Sequence, residues 1–519
     1  MTLFTFSNTQ RTIFLLASGM VLFANATFFF KLFHYALDEN NYFIAFTSPF
    51  ILWLMLVCVL NILLLLPHAS WFKMMVVLLV LTSALGSYFI DTFGTIIDVA
   101  MFTNVMQTDS AEVLDLVSST LLMHLLFALL FAYVILYKLP FTSTSYTKEF
   151  FNKASVALIS FLMVAGLYMM LSKSYSAFFR NHSELKMYLN PVYPITSFSK
   201  YLVKKLKPKH AFQAIALDAT KPVHEKKKLV VMVLGETARA HNFSLGGYDK
   251  PTNPLLAKRS DVLFLANTAS CGTATAISVP CMFSKFGRSD WSDEKESYEN
   301  VVDVLAKTGV RVMWRDNNSG ADKGVAKRIK DSRFYGSQTF DDILLKEFQN
   351  DVDQAYEDTL IVLHQEGSHG PTYFKRYPDN FKQFSPTCDT QELDKCSQER
   401  IVNTYDNTIL YTDYILNQTI ELLKANENKY DTTLIYMSDH GESLGENGVY
   451  LHGLPYMIAP EVQKHVPAII YVGESEAKKR EALRQKARER FSHDNLFHTL
   501  LGRFDVSTSE YKPHMDLLR

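Results

Sequence analysis

The apolar residues of this chain are concentrated in its first third, in five long runs almost free of charged side chains. A helix needs about 20 apolar residues to cross a hydrocarbon core about 30 Å thick, and each run has that length or nearly so. Buried helices of a large soluble core are a weaker interpretation, because all five runs lie close together. We therefore predict five membrane-spanning helices, over residues 12–30, 42–66, 74–90, 116–137 and 154–172.

The first run also resembles a cleavable signal peptide. Arg11 precedes it, and Ala24, Asn25 and Ala26 have the small-x-small form of a processing site. The run continues past that site through residues 27–30, so we expect a helix that is retained.

The charges between the runs predict their orientation. His68, Lys73, Lys138, Lys148 and Lys153 follow the second and fourth runs, whereas residues 91–117 contain acidic groups and no Lys or Arg. Because cytoplasmic loops carry an excess of Lys and Arg, the N-terminus is expected in the cytoplasm and the acidic segment outside. Five spans then export everything after residue 172.

The pattern changes beyond the last run. Residues 173–228 form a connector, in which the lysines and apolar side chains of residues 200–209 suit either an interfacial helix or a solvated linker. Residues 229–519 form a soluble domain with short, almost uninterrupted apolar runs, which are typical of strands buried on both faces of a mostly parallel sheet. The fold class is therefore an α-helical transmembrane domain followed by an α/β domain, with strands at 229–234, 310–314, 360–363, 433–437 and 466–472.

The charge balance bears on the class of function, and the cysteine spacing bears on the cellular compartment. The 52 Lys and Arg balance 53 Asp and Glu, which argues against a basic nucleic-acid-binding surface. Four of the five cysteines form two closely spaced pairs, Cys271 with Cys281 and Cys388 with Cys396, which suits local disulfides in an oxidising compartment. Zinc binding by these cysteines is less favoured, since neither pair is a C-x-x-C.

Carboxylates and imidazoles follow several of the predicted strands. They occur in residues 235–239, 364–371, 438–445 and 450–453. Each motif alone is typical of a turn or a solvated histidine, but functional groups collect at the carboxyl ends of parallel strands. Oxygen and nitrogen donors without a cysteine pair favour Zn²⁺, with Mn²⁺ as an alternative.

A candidate nucleophile lies between the first two predicted strands. Residues 270–281 place small residues before a helix start, where free backbone N–H groups favour an anionic ligand. Thr273 or Thr275 would act as a hydroxyl activated by the metal, and the alternative is that both cap the helix. Spacing alone does not choose between the two threonines.

Together, the motifs at 235–239, 270–283, 367–371, 438–443 and 451–453 resemble the lipid A phosphoethanolamine transferases of the alkaline phosphatase and sulfatase superfamily. The resemblance covers nearly the whole chain, including the five-helix anchor. It implies transfer of phosphoethanolamine from phosphatidylethanolamine to lipid A at the bacterial inner membrane, with the catalytic domain in the periplasm. Reduced susceptibility to cationic peptides such as polymyxin would follow.

The same resemblance implies roles for individual residues. Thr275 matches the family nucleophile, and a tightly bound zinc would be held by Glu236, Thr275, Asp439 and His440. His369 and His452 would bind a second zinc or the substrate phosphate and carry protons, and Lys323 would bind phosphate. Asn104, Thr108 and Glu112 recur every four residues, as on one helix face, and would contact the ethanolamine head group.

Two other functions use the same residues. A glycerol-phosphate transferase with phosphatidylglycerol as donor would keep the fold, although Glu112 would then have no ammonium to pair with. A membrane sensor or transporter that only binds metal is a second alternative. His124 is the only ionisable side chain in the predicted spans, which argues against transport.

Overall fold

The computed structural model describes residues 7–65, 69–107, 113, 116–138, 145–207, 211–319, 322–336 and 339–519. The chain divides into two compact units. The helical unit comprises residues 1–99 and 117–203, and the sheet unit comprises residues 100–116 and 204–519. The predicted boundaries at residues 172 and 228 remain a proposal.

The first part of the chain is helical. Its α-helices are α1 (Asn8–Phe23), α2 (Ala26–Asp38), α3 (Tyr42–Leu63), α4 (Ala69–Phe93), α5 (Val99–Gln107), α6 (Ser119–Lys138), α7 (Tyr146–Asn181) and α8 (Val192–Leu206). Among the described residues, four segments are long and apolar enough to span a membrane: Tyr42–Leu63, Ser70–Phe93, Ser119–Lys138 and Thr147–Asn181. They correspond to four of the five predicted spans.

The first predicted span is not one straight helix. It divides into α1 and α2, which meet at an angle of 61°, so the unit has a fifth span only if this bent pair crosses as one. Asn25 lies at the break, where its Nδ2 donates to the carbonyls of Met20 (2.8 Å) and Asn190 (2.7 Å). The side chain of Asn25 therefore satisfies backbone groups from a distant part of the unit, which stabilises the break.

One of the lysines used to predict the orientation is buried. Lys153 on α7 donates its ammonium to the carbonyl oxygen of Leu64 (2.6 Å), directly after α3, and lies over the ring of Phe72. A cation is favourable at the C-terminus of a helix, where carbonyl groups lack partners. Lys153 therefore pairs with a helix end inside the unit.

In the part of the sheet unit that the structure describes, there are ten strands. They are β1 (Lys227–Gly235), β2 (Val262–Ala269), β3 (Arg311–Asp316), β4 (Asp331–Phe334), β5 (Thr359–His364), β6 (Tyr430–Ser438), β7 (Ser443–Leu444), β8 (Tyr450–Leu451), β9 (His465–Val472) and β10 (Phe491–Ser492). The main sheet has the order β10-β2-β9-β6-β1-β5-β3-β4, and β7 pairs with β8. Within it β9 pairs antiparallel with both its neighbours, and the other pairs are parallel. The predicted mostly parallel α/β sheet is confirmed.

Helices cover both faces of this sheet. They are α9 (Thr275–Met282), α10 (Val301–Lys307), α11 (Phe348–Asp353), α12 (Gln398–Ala425), α13 (Ala477–Lys486) and α14 (Asp494–Arg503). Successive residues of β1 point to opposite faces, so Val230 and Met232 join one buried cluster while Val231 and Val233 join the other. Burial on both faces explains the uninterrupted apolar runs.

All five predicted strands are present, but β2 was not predicted. Its second half, from Ala266 to Ala269, is small or polar, and its pairing with β9 shifts register between Leu265 and Thr268. A strand of this kind depends on its neighbours more than on its own apolar pattern.

Candidate metal and nucleophile site

Four neighbouring parallel strands bring the candidate site residues to one edge of the sheet. The strands β3, β5, β1 and β6 are consecutive, so their carboxyl ends adjoin. Backbone hydrogen bonds continue past the strands, from Asp439 N to the Gly235 carbonyl (2.9 Å) and from Ser368 N to the Glu236 carbonyl (3.0 Å). The loops that carry these residues are therefore fixed against each other.

Glu236, Asp439 and His440 form a buried cluster at this edge. One ligand atom from each lies within 4.8 Å of the others. His440 Nε2 is 3.2 Å from Asp439 Oδ2 and 3.5 Å from Glu236 Oε1. Two carboxylates and an imidazole that converge in this way are a donor set suited to a divalent cation.

The hydroxyl group of Thr275 adjoins this cluster. Thr275 is the first residue of α9, and its Oγ1 is 3.2 Å and 3.3 Å from the two carboxylate oxygens of Glu236. It is also 3.3 Å from His440 Nε2. Thr273 instead donates to the carbonyl of Leu454 (2.6 Å). The fold therefore distinguishes the two threonines that sequence spacing left equivalent.

Two observations test whether the cluster fits a metal. Among the described residues, no group donates a hydrogen bond to the buried Asp439 Oδ2. The Nδ1 of His440 lies 2.9 Å from the carbonyl oxygen of Gly441, which assigns the proton to Nδ1 and leaves the lone pair of Nε2 directed at the carboxylates. Burial lowers the pKa of His440 to about 3, so its ring is neutral, as a metal ligand must be. The residues therefore fit a cation such as Zn²⁺.

Two residues that position Glu236 were not singled out from the sequence. Thr237 donates its hydroxyl to Glu236 Oε1 (2.5 Å), from a backbone with φ of 59° that a β-branched residue rarely adopts. Asn318 donates its amide to Glu236 Oε2 (2.9 Å) and to the carbonyl of Gln365 (3.0 Å). No sequence pattern marks either contact, because both depend on backbone geometry and on a neighbouring strand.

His369 and His452 lie beside the cluster. The ring centroid of His452 is 4.3 Å from that of His440 and 5.6 Å from that of His369. His452 Nδ1 is 3.4 Å from Oε1 of Glu442, a buried carboxylate that the sequence did not single out. Burial alone would lower the pKa of His452, but Glu442 raises it above its usual value. The side chain of His452 is thus suited to carry a proton.

The loop that carries His369 is held by buried charges. Asp341 accepts hydrogen bonds from the backbone N–H groups of Glu366 (2.9 Å) and Gly367 (3.0 Å). Gly367 has φ of 56°, and a Cβ there would lie 2.7 Å from the Glu236 carbonyl oxygen, so only glycine allows this close approach. Burial raises the pKa of Glu366 to about 7, beside Arg376 at 3.1 Å.

Besides the two histidines, the structure describes two of the residues predicted to bind substrate, Lys323 and Asn104. Lys323 lies in the loop after β3, in the left-handed region with φ of 46°. Asn104 lies on α5, and its Nδ2 would be 3.9 Å from a Cβ built on Gly453, the residue that follows His452. Thr108 and Glu112 lie outside the described residues.

Both predicted disulfides form, and Cys58 is free. The first, between Cys271 and Cys281, encloses the turn that carries Thr275. His493 connects the same turn to the end of β6, because its Nδ1 accepts from Cys271 N (3.0 Å) while its Nε2 donates to the Ser438 carbonyl (2.9 Å). The pairing was predicted from spacing, whereas the role of His493 is visible only in the fold.

Comparisons with known proteins agree with this arrangement. The Sulfatase family matches residues 228–506, which places the sheet unit in the sulfatase class of α/β domains. A second family, described as phosphoethanolamine transferase EptA/EptB, matches residues 52–206. The two matches follow one another along the chain and are separated by residues 207–227.

Relatives extend this match over almost the full length. The phosphoethanolamine transferase EptA of Escherichia coli K12 is 39% identical, covering 89% of this chain and 88% of its own. The phosphatidylethanolamine transferase Mcr-1 of Escherichia coli is 37% identical, covering 98% of this chain and 97% of its own. The structure of lipooligosaccharide phosphoethanolamine transferase A from Neisseria meningitidis superimposes with a TM-score of 0.90 at 32% identity, covering 98% of each chain. The chain belongs to the phosphoethanolamine transferase family.

Proposed function

We propose that this protein is a membrane-bound transferase that moves phosphoethanolamine from phosphatidylethanolamine to a phosphate of lipid A. The observation that carries the proposal is the Thr275 hydroxyl within 3.3 Å of Glu236 and His440 at the edge of a sulfatase-like sheet. Family membership identifies the group that is transferred. The product would carry an added ammonium, which would weaken the binding of cationic peptides such as polymyxin.

Zn²⁺ is the proposed cofactor, held by Glu236, Asp439, His440 and Thr275. The buried Asp439 Oδ2 and the orientation of the His440 ring support this assignment. When bound, the ion would stabilise negative charge on the phosphoryl oxygens and lower the pKa of the threonine hydroxyl. Metal analysis of the purified chain before and after chelation tests it, and a chain active with no bound zinc would contradict it.

In the first step, Thr275 Oγ1 attacks the phosphorus of phosphatidylethanolamine. A bond forms between the threonine oxygen and phosphorus, and the bond from phosphorus to the glycerol oxygen breaks. The threonine loses its hydroxyl proton, and diacylglycerol leaves after its oxygen gains one. His452 and His369 are the proposed proton carriers, because the ring of His452 lies next to that of His440 and the ring of His369 lies next to that of His452.

In the second step, a phosphate oxygen of lipid A attacks the phosphoethanolamine ester on Thr275. The new bond joins the two phosphate groups, the bond to threonine breaks, and the hydroxyl of Thr275 regains its proton. Lys323 is proposed to bind phosphate, and Asn104, Thr108 and Glu112 to bind the ethanolamine group. The proximity of Asn104 to Gly453 supports this for the first of the three.

The test is Thr275→Ala, with Thr273→Ala as the matched control. With labelled phosphatidylethanolamine, the wild-type chain and the control should release diacylglycerol and show a phosphoethanolamine adduct by intact mass. Thr275→Ala should show no adduct and lose release by at least about 1,000-fold, as when a nucleophile is removed. Wild-type release from Thr275→Ala would contradict the assigned nucleophile, and a preference for phosphatidylglycerol would favour glycerol-phosphate transfer.

A further inference from the structure

A cavity of about 510 Å³ lies between α1, α4 and α6 of the helical unit. This volume is within the range of about 300–1,000 Å³ that is typical of small-molecule sites. Its lining includes no Asp, Glu, Lys or Arg and is mostly apolar, with Leu16, Val80, Met123 and Phe131 among the contributing side chains. Because α4 and α6 are membrane spans by length and composition, a ligand that fills the cavity comes from the bilayer.

The cavity extends through about half the thickness of a membrane. On α6 it is lined from Thr120, the second residue of the helix, to Phe131, which is about 16 Å further at about 1.5 Å per residue. Half of a hydrocarbon core is about 15 Å thick. The lining residues of α1 lie in the second half of that helix, and those of α4 lie around and beyond its middle, from Val80 to Ser87. The cavity therefore lies nearer the ends where α1 and α4 finish and α6 begins, over about the depth of one leaflet.

Polar groups also line the cavity. They are Ser83, Ser87, Thr120 and His124. Ser83 is only 4% exposed, and within the described part of the chain no group forms a hydrogen bond with its hydroxyl. Ser83 lies ten residues, or about 15 Å, before the end of α4, which is the depth of acyl chains and not of ester groups. The lining thus provides mostly apolar space of the kind that an acyl chain fills.

We propose that this cavity holds one acyl chain of the donor phosphatidylethanolamine. The inference rests on the proposed function, which makes this two-chain lipid the donor. Along the chain, α4 is followed directly by α5, which carries Asn104, a predicted contact of the head group.

Filling the cavity tests this proposal. Ala84→Phe and Ala128→Phe each add a ring at the lining, and Ala165→Phe on α7 is the matched control because Ala165 is not part of the lining. The full-length protein is assayed for diacylglycerol release from dipalmitoyl- and dihexanoyl-phosphatidylethanolamine in detergent micelles. The filled variants should raise KM for the dipalmitoyl lipid about tenfold, because the ring occupies space needed by the long chain. Their kcat, and KM for the dihexanoyl lipid, should stay within about twofold of wild type.

The outcomes separate this proposal from the proposed function. If both filled variants have the wild-type KM for the dipalmitoyl lipid, the acyl-chain site is overturned. The proposed transferase function is not affected by that result. No diacylglycerol release by the wild-type protein from either lipid would overturn both. If the filled variants lose activity on both lipids, photocrosslinking decides, using wild-type protein and phosphatidylethanolamine with a diazirine on its acyl chain. Crosslinking of the lipid to α6 peptides that disappears when phosphatidylethanolamine without the diazirine is added would support the site. Absence of crosslinking to α6 would overturn it.

Discussion

At the scale of single residues, the candidate site depends on groups that orient the proposed ligands. Glu236 accepts hydrogen bonds from Thr237 and Asn318, and Asp439 Oδ1 accepts them from the backbone of Thr237 (3.0 Å) and His440 (2.7 Å). These donors hold both buried carboxylates in place, and for Asp439 they oppose the burial that raises its pKa. The second oxygen of Asp439 then remains directed at His440.

Asn318→Ala should therefore weaken zinc binding and activity together. The change removes the donor to Glu236 Oε2, and loss of such outer contacts typically costs about 10–100-fold in metal affinity or activity. Chelator competition for zinc and the rate of diacylglycerol release measure the two effects. Asn350→Ala, at an exposed position of α11, is the control and should change neither. Wild-type zinc affinity in Asn318→Ala would show that this contact is not needed.

At the scale of elements, α9, the helix that begins at Thr275, is attached to the sheet by a neutral histidine. His493 accepts from Cys271 N before α9 and donates to the Ser438 carbonyl at the end of β6. Ser278 of α9 also lies 3.2 Å from its Nδ1. Both ring nitrogens are engaged in the neutral form, and Nδ1 can accept only while it is unprotonated. The position of Thr275 relative to Asp439 thus depends on this ring.

His493 predicts a loss of stability in acid. Burial lowers its pKa to about 4, whereas an unfolded chain has a histidine pKa of about 6.5. Between these values the unfolded state binds a proton that the folded state does not, so stability falls as pH decreases. Because of His493, the free energy of unfolding should be about 2 kcal/mol lower at pH 5 than at pH 8.

Thermal unfolding of the full-length protein at pH 8 and pH 5 measures this effect. His493→Gln should be less stable than wild type at pH 8, because it loses hydrogen bonds, but the difference should shrink at pH 5. His514→Gln, at an exposed position, should retain the wild-type dependence. An equal difference for His493→Gln at both pH values would contradict the prediction.

At the scale of the whole molecule, the path of the chain through the membrane depends on the bent pair α1 and α2. If the pair crosses as one broken span, five spans separate the N-terminus from the sheet unit. If it turns back, four spans place both on the same side. From the charges of the connections we propose the first arrangement, with the N-terminus in the cytoplasm, the spans in the inner membrane and the sheet unit in the periplasm.

Labelling of single introduced cysteines tests this topology. In a Cys58→Ala background, Met457→Cys, at a 94% exposed position, should react with a membrane-impermeant maleimide once the outer membrane is made permeable. Asn8→Cys and Lys148→Cys should react only after the inner membrane is opened. Labelling of Asn8→Cys together with Met457→Cys, before the inner membrane is opened, would indicate that α1 and α2 turn back.

The sequence alone determined the features that depend on local pattern. Apolar runs predicted five spans, four of which correspond to long apolar helices, and the five buried strands, while close cysteine spacing predicted both disulfides. Strand-end motifs predicted a metal site, and the family resemblance assigned Glu236, Asp439 and His440 to it. These signals are local because burial, loop closure and strand direction act over short stretches of chain.

Tertiary structure decided what depends on distant partners. Asn190 stabilises the break at Asn25, Leu64 accepts from Lys153, and β9 provides the pairing for β2. The choice of Thr275 over Thr273 arises in the same way, since Leu454 accepts the Thr273 hydroxyl while Thr275 adjoins Glu236. A hydrogen bond between residues far apart in sequence leaves no periodic trace, so only the folded chain reveals it.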